Sequence, residues 1–357
     1  MELFYFWQAQ TIHSIAVHRI CSGVFAMENQ AKSTVLILGA RGRLGSALAD
    51  AFGAAGWRVL KQARATPGRD LANVIAADAR DVATVVSAAK ASAGRVDVVI
   101  NATNPVYTRW ATEAEALNRA AIEITQALGA TLMFPGNVYN YPTEMPEALR
   151  SDTQQHAETR KGRIRINMEQ AIEVATKSGM QGIVIRAGDF FGCNTGSWFD
   201  MTIAKDLPKG KLTYPGPLDL PHAWAYMPDL AQTFVRVAEA RAELQRFERV
   251  HFAGHTVTGR EVIASLERLM GRALKVGALP WPLIRAVGMV RPLWRELAEM
   301  AYLWQHPHRL LTDAAHAPLL AATTPFDDAI RASIVALHPQ LVTGLNRQML
   351  AHSAVAT

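Results

Sequence analysis

Three glycines and two basic residues carry most of the chemistry legible in this chain, and they point in different directions. Gly39, Gly42 and Gly45 form a G-x-x-G-x-x-G turn, Gly39-Ala40-Arg41-Gly42-Arg43-Leu44-Gly45. An apolar, β-branched run over 34–38 precedes it, and an Ala/Leu-rich stretch broken only by Gly53 follows as far as Ala55. That order reads as strand, tight turn, helix. Residues without Cβ let main-chain N–H groups close on a pyrophosphate lying at the positive end of the helix. The turn therefore suits a dinucleotide. An ordinary strand-to-helix turn is the plainer alternative.

Further segments weigh against that alternative. Residues 59–63, 73–76 (ending at Asp78) and 96–100 read as strands, separated by Ala-rich helical patterns. Repeated β-α units imply an α/β protein built on a Rossmann-type, doubly wound parallel sheet. The second strand closes on Lys61-Gln62-Ala63-Arg64, with no acid to take the ribose hydroxyls of NAD and repel a 2′-phosphate. Arg64, Arg41 and Arg43 thus favour NADP, with NAD still admissible, although solvated surface charge is the commoner role of such side chains. Asp78 is placed to accept from the adenine amino group or to cap the next helix.

The order of segments resembles the short-chain dehydrogenase/reductase superfamily, in its extended and atypical branch, the NAD-dependent epimerase/dehydratase type. Beyond the glycines, the resemblance rests on Asp97-Val98-Val99-Ile100-Asn101-Ala102 and Phe134-Pro135-Gly136-Asn137-Val138-Tyr139. It continues through Gly182-Ile183-Val184-Ile185-Arg186-Ala187-Gly188-Asp189-Phe190-Phe191-Gly192 and Ala225-Tyr226-Met227-Pro228-Asp229-Leu230-Ala231, so that it spans 34–338. It implies that Leu44, Asn101, Ala102, Thr103, Gly136 and Asn137 join the glycines and arginines around the cofactor. A homodimer is the family expectation.

The resemblance also implies a Ser or Thr before the Val-Tyr pair and a Tyr-x-x-x-Lys on the following helix. A phenol of pKa ~10 becomes useful at neutral pH only when a neighbouring cation depresses it. Here Lys161 stands at the Tyr position, Arg165 at the Lys position and Pro135 where the hydroxyl residue belongs. Two readings follow. In a rebuilt site, Lys161 is the acid/base, depressed by Arg165, Arg163 and an oxidised nicotinamide, or Tyr139 or Tyr141 supplies the hydroxyl. In a sensor, the segment is only the basic entry to a helix, and the cofactor is bound without turnover. Gly-Asn-Val-Tyr followed by Lys-Gly-x-x-Arg is similar to a pattern recurring in an atypical subgroup, which implies a specialised pocket.

Composition fits an enzyme-sized chain of the cytoplasm: 357 residues, 50% hydrophobic, net charge +6. The charge forms no long basic run with interleaved aromatics, so nucleic acid is not an expected partner and an anionic small molecule is. Cys21 and Cys193 make neither a disulfide framework nor a metal cluster, and the His306-Pro307-His308 pair lacks partners, so no metal is expected. Cys193 reads as a small buried hydrophobe. Residues 1–33 read as an N-terminal extension outside the fold, disordered or untranslated, with Met27 a second possible start. Glu2, His13, His18 and Arg19 interrupt it, so no membrane span is expected there.

Residues 34–192 then form the NAD(P)-binding domain and 193–345 mainly a substrate domain, with 223–253 returning to the sheet and 346–357 a tail. Asp229 reads as a helix cap, Arg249 to Ala253 as a seventh strand, and Thr258-Gly259-Arg260-Glu261 as a helix start. The Trp- and Pro-rich stretch 279–308 reads as core of the smaller domain, with a pocket cover or dimer surface as the other option.

Overall fold

The described part of the computed structural model comprises residues 33–64, 74–193 and 195–341. The first strand, β1 (Thr34–Leu38), is buried along its whole length. Because side chains alternate across a strand, Val35 and Ile37 join one core and Leu36 and Leu38 the other. The first core is completed by Leu48 and Phe52 of α1 (Arg43–Ala54) and by Leu230 and Phe234 of α5 (Met227–Glu239). The second is shared with α2 (Val82–Ala93), α3 (Trp110–Leu128) and α4 (Arg160–Thr176). Helices thus cover both faces of one sheet.

That sheet has seven strands, all paired in parallel. Beside β1 lie β2 (Arg58–Ala63) and β3 (Val74–Ala76) on one side. On the other lie β4 (Val98–Asn101), β5 (Thr131–Gly136), β7 (Gln181–Arg186) and β11 (Phe247–His251). The order β3-β2-β1-β4-β5-β7-β11 reverses direction between β1 and β4, the crevice where open α/β sheets take ligands. The doubly wound α/β expectation is met.

Smaller sheets cap the carboxyl ends. One joins β8 (Asp189–Phe191), β10 (Pro221–Tyr226) and β12 (His255–Thr258). Two pairs, β6 (Ala148–Leu149) with β14 (Arg309–Leu310) and β9 (Lys211–Tyr214) with β13 (Lys275–Ala278), complete the set. The helix expected to start at Thr258–Glu261 is α6 (Gly259–Met270), and Thr258 and Glu261 close a capping box on it. The seventh strand starts two residues earlier than expected, and the fourth starts at Val98. Asp229 is a correction: Tyr226 occupies the cap of α5, and both Asp229 oxygens accept from Thr324, through its N–H and Oγ1, at 2.8 Å. A carboxylate in a first turn can reach outward as well as back. The 279–308 stretch contains a helical hairpin, α7 (Trp281–Gly288) and α8 (Pro292–Ala298), and α9 (Phe326–Leu337) ends the described chain. Expectations for Cys21, Met27, Asn73 and the tail 346–357 fall outside the described residues.

At the centre is a fully buried ion pair, Glu169 of α4 with Arg186 of β7 at 2.6 Å. Asn140 and Gln155 each donate to Glu169 at 3.0 Å, and Arg186 donates to the Asn137 carbonyl. Removing one partner strands a buried charge, which typically costs about 3–5 kcal/mol. Glu169→Ala is expected to lose stability of that order, read as a lowered urea midpoint with an unchanged slope.

Candidate active site

The glycine turn is closed too tightly for any other residue. Gly39 has φ +76°, and a Cβ there would stand 3.0 Å from the Ala102 carbonyl oxygen; one on Gly45 would stand 2.3 Å from that of Gly39. The Gly42 N–H donates to the Gly39 carbonyl at 2.9 Å. Gly42 is also the N-cap of α1 and gives the helix no side-chain cap, so the first turn faces the β1/β4 crevice without one. Leu44 packs into the core and anchors that turn. Gln62, given no role from the sequence, is buried, accepts from the Gly39 N–H at 2.9 Å and donates to the Ala77 carbonyl at 2.6 Å. It locks the turn to its two neighbouring strands. This cradle, which a Cβ would fill, fits a dinucleotide pyrophosphate.

The arginines divide. Arg64 is exposed at the end of β2, and Arg41 donates to its carbonyl at 3.1 Å. Asp78 is held by Arg80, whose hydrogen bonds take its carboxyl down to about 2. Arg80, missed from sequence, therefore joins Arg64 and Arg41 at this end. Arg43 instead donates at 3.1 Å to the carbonyls of Gly192 and Cys193, tying the turn to the far side of the crevice. Cys193 is half-buried with φ +52°, a left-handed backbone unusual for a residue with a side chain.

At the end of β4, buried Asn101 accepts from Thr103 Oγ1 at 2.6 Å and faces Asn118, which donates to the Met168 carbonyl at 3.0 Å. Ala102 continues the β1 ladder by donating to the Leu38 carbonyl. Thr103 then opens a narrow cleft lined by Asn104, Pro105, Trp110 and Arg165. Gly136 packs against Val184 and Arg186, and Asn137 accepts from the Tyr139 N–H at 3.1 Å.

The three residues expected to do chemistry are brought near one another, in unequal states. Tyr139 is buried, and its hydroxyl is 3.1 Å from that of Tyr107. Burial pushes the Tyr139 phenol well above its usual range, with Tyr107 and Asp189 adding to the effect. Arg165 lies over the rings of Trp110 and Phe134 at 5.0 and 5.1 Å and donates to the Pro135 carbonyl at 3.2 Å, while its Nε has no partner. Lys161 meets carboxylates where arginines were expected. Its ammonium donates to Glu296 at 2.5 Å, Glu299 at 2.6 Å and the Glu296 carbonyl at 3.2 Å, which uses all its hydrogens while it is fully buried. Gly162 brings this helix against Tyr139: a Cβ there would stand 2.3 Å from the Tyr139 carbonyl oxygen.

Sequence reasoning missed the far wall. Asp189 Oδ2 lies at hydrogen-bond distance, 2.9 Å, from His222 Nε2, because β8 and β10 pair. His222 stacks on Trp304 at 4.2 Å and meets His308 at 4.5 Å. The negative charge of Asp189 raises Tyr107, Tyr139, Tyr214 and Tyr302, whose phenols burial has already pushed up. The buried ring nitrogens of Trp224 and Trp304 and the His308 Nε2 have no partner.

The sequence pattern of the NAD dependent epimerase/dehydratase family matches residues 35–252, more than half of the chain. The chain belongs to this family. No curated protein sequence matches. Among solved structures, this family member is similar to an epimerase, described as putative, from Burkholderia cenocepacia J2315, with 17% identity and a TM-score of 0.67 over 87% of this chain and 100% of that one. It is similar to L-threonine dehydrogenase from Phytophthora infestans, with 16% identity and a TM-score of 0.70 over 86% of this chain and 100% of that one. UDP-glucose 4-epimerase from Brucella ovis, in complex with NAD, gives 16% identity and a TM-score of 0.63 over 84% and 97%. These likenesses bear on the fold.

The contact between α8 and Lys161 carries a pH dependence. Burial raises the Glu296 carboxyl, but hydrogen bonds from Lys161 and Arg160 outweigh it, leaving the group below the usual carboxylate range. A carboxyl lower in the folded state than the ordinary ~4.3 stabilises fully above that value and loses its contribution as pH falls through the folded one. Protection of the amides in 281–300, corrected for intrinsic exchange, is expected to fall relative to that of the sheet as pH drops below about 4.3. Protection falling equally across the two would refute this pH dependence.

Proposed function

We propose that this family member is an NADP-preferring oxidoreductase, acting on a small polar carbonyl or hydroxyl compound. The observation that carries the reading is a continuous path. The glycine cradle touches Thr103, Thr103 shares a cleft with Arg165 and Trp110, and Trp110 packs at 6.1 Å against Tyr139. Gly39, Gly42, Gly45 and the first turn of α1 would hold the pyrophosphate; Arg41, Arg64 and Arg80 would take a 2′-phosphate, with Asp78 beside them. The bound nicotinamide supplies a hydride acceptor or donor, common to reduction and to epimerisation.

The chain's own residues then have separable work. Tyr107 and Tyr139, whose phenols hold their protons, donate hydrogen bonds to the substrate oxygen, and Arg165 stabilises negative charge developing there. In the reducing direction the substrate carbon gains the hydride and its oxygen gains a proton, which the Asp189–His222 pair is arranged to provide. Lys161 could enter only if the α7–α8 hairpin moved. That occupancy of Lys161 favours the second reading, a sensor that binds the cofactor and reports through the hairpin.

Fluorescence titration with NADPH and NADH tests the cofactor. NADPH is expected to bind more tightly, and Arg64→Glu to weaken NADPH alone by about tenfold to a hundredfold, the loss of a charge-assisted hydrogen bond. Equal binding of both, untouched by the variant, would remove the NADP preference. In a carbonyl-substrate screen, Tyr139→Phe is expected to lower kcat about a hundredfold or more with NADPH affinity retained. Tight binding with no turnover by the wild type on any compound would leave the sensor reading in its place.

A further inference from the structure

The α7–α8 hairpin has an outer face that the candidate site does not use. Leu283, Met289, Val290, Leu293 and Trp294 are exposed there, Met289 and Val290 at 79% and 78%. Those two lie in the turn between the helices. Single exposed apolar residues are ordinary, but these make up half of all the large hydrophobic residues left exposed among the described residues. The hairpin's charges are sorted as well. Its acids, Glu296 and Glu299, turn inward to Lys161, while Arg285, Arg291 and Arg295 are exposed. The outward surface is therefore an apolar turn flanked by cations.

We propose that this hairpin docks the protein on an anionic lipid surface. The proposal is independent of the reaction the site performs. A bilayer interface satisfies both parts of the face at once: Met289, Val290 and Leu293 enter the headgroup boundary, Trp294 sits at the interface, and the arginines reach lipid phosphates. A second copy meets the face poorly, because a two-fold contact would set arginines against arginines with no outward acid between them. A nucleic-acid backbone would engage the arginines and leave the turn's apolar side chains in water. The contact is peripheral, since among the described residues no helix is long and apolar enough to cross a membrane. Lipid contact on the outer face and the hold on Lys161 on the inner face then belong to one element.

The test is co-sedimentation of the full chain with phosphatidylcholine vesicles and with phosphatidylcholine–phosphatidylglycerol vesicles. Wild type is compared with Met289→Glu/Val290→Glu and Arg291→Glu/Arg295→Glu, whose sites are exposed, and circular dichroism checks their fold. Binding is expected on the anionic vesicles, about tenfold or more weaker on phosphatidylcholine alone and in each double variant, and weakened by salt. No binding to either vesicle, equal binding to both, or binding that both variants retain would overturn the proposal. So would a dimer, seen by light scattering, that Met289→Glu/Val290→Glu dissolves while vesicles stay unbound; that result would assign the face to a second copy.

Discussion

The ion pair between Glu169 and Arg186 is the constraint on which the candidate site depends. Both groups are wholly removed from water, so the structure must supply every partner that water would have offered. Asn140, Gln155 and the Asn137 carbonyl, all from the segment after β5, supply partners to the pair, and the Arg186 Nε is left without one. Ordering that segment sets where Tyr139 and Tyr141 can be, and Arg186 lies over the Tyr141 ring at 5.4 Å. The loop beside the cleft is therefore fixed by charge.

A second buried charge is handled in the opposite way. Lys161 draws its partners from a distant part of the chain, across 135 and 138 residues, so the contact that neutralises it also closes a hairpin over helix α4. The two arrangements differ in what they join. Glu169 and Arg186 weld the sheet to its own helix; Lys161 fastens that helix to the α7–α8 hairpin.

Sequence reading recovered the periodic and local features: the apolar strands, the glycine turn, the helix start at Thr258, and with them the doubly wound architecture. These depend on neighbours in the chain. What it did not reach depends on pairings that no local pattern encodes. Asp189 and His222 meet through two short parallel strands, Tyr107 arrives on a single 3-10 turn before α3, and the glutamates on Lys161 come from a stretch read for its aromatics, as core, pocket cover or dimer surface. Asp229 shows the same limit at short range, because the motif fixed its place in the helix but not the direction of its carboxylate. Lys161 and Arg165 were legible as replacements. Their surroundings were not.

The Arg43 bridge makes two remote pieces answer to one another. Its guanidinium holds the carbonyls of Gly192 and Cys193, and Cys193 is kept in a left-handed backbone beside it. An anion that captured Arg43 would take those carbonyls' donor away, and the local strain at Cys193 would then favour a different path for that loop. Linkage makes the effect mutual: whatever resets the loop must change the affinity of the glycine turn by the same factor. Were ligands to bind at both ends of the crevice, Arg43 would be the group through which their affinities are coupled.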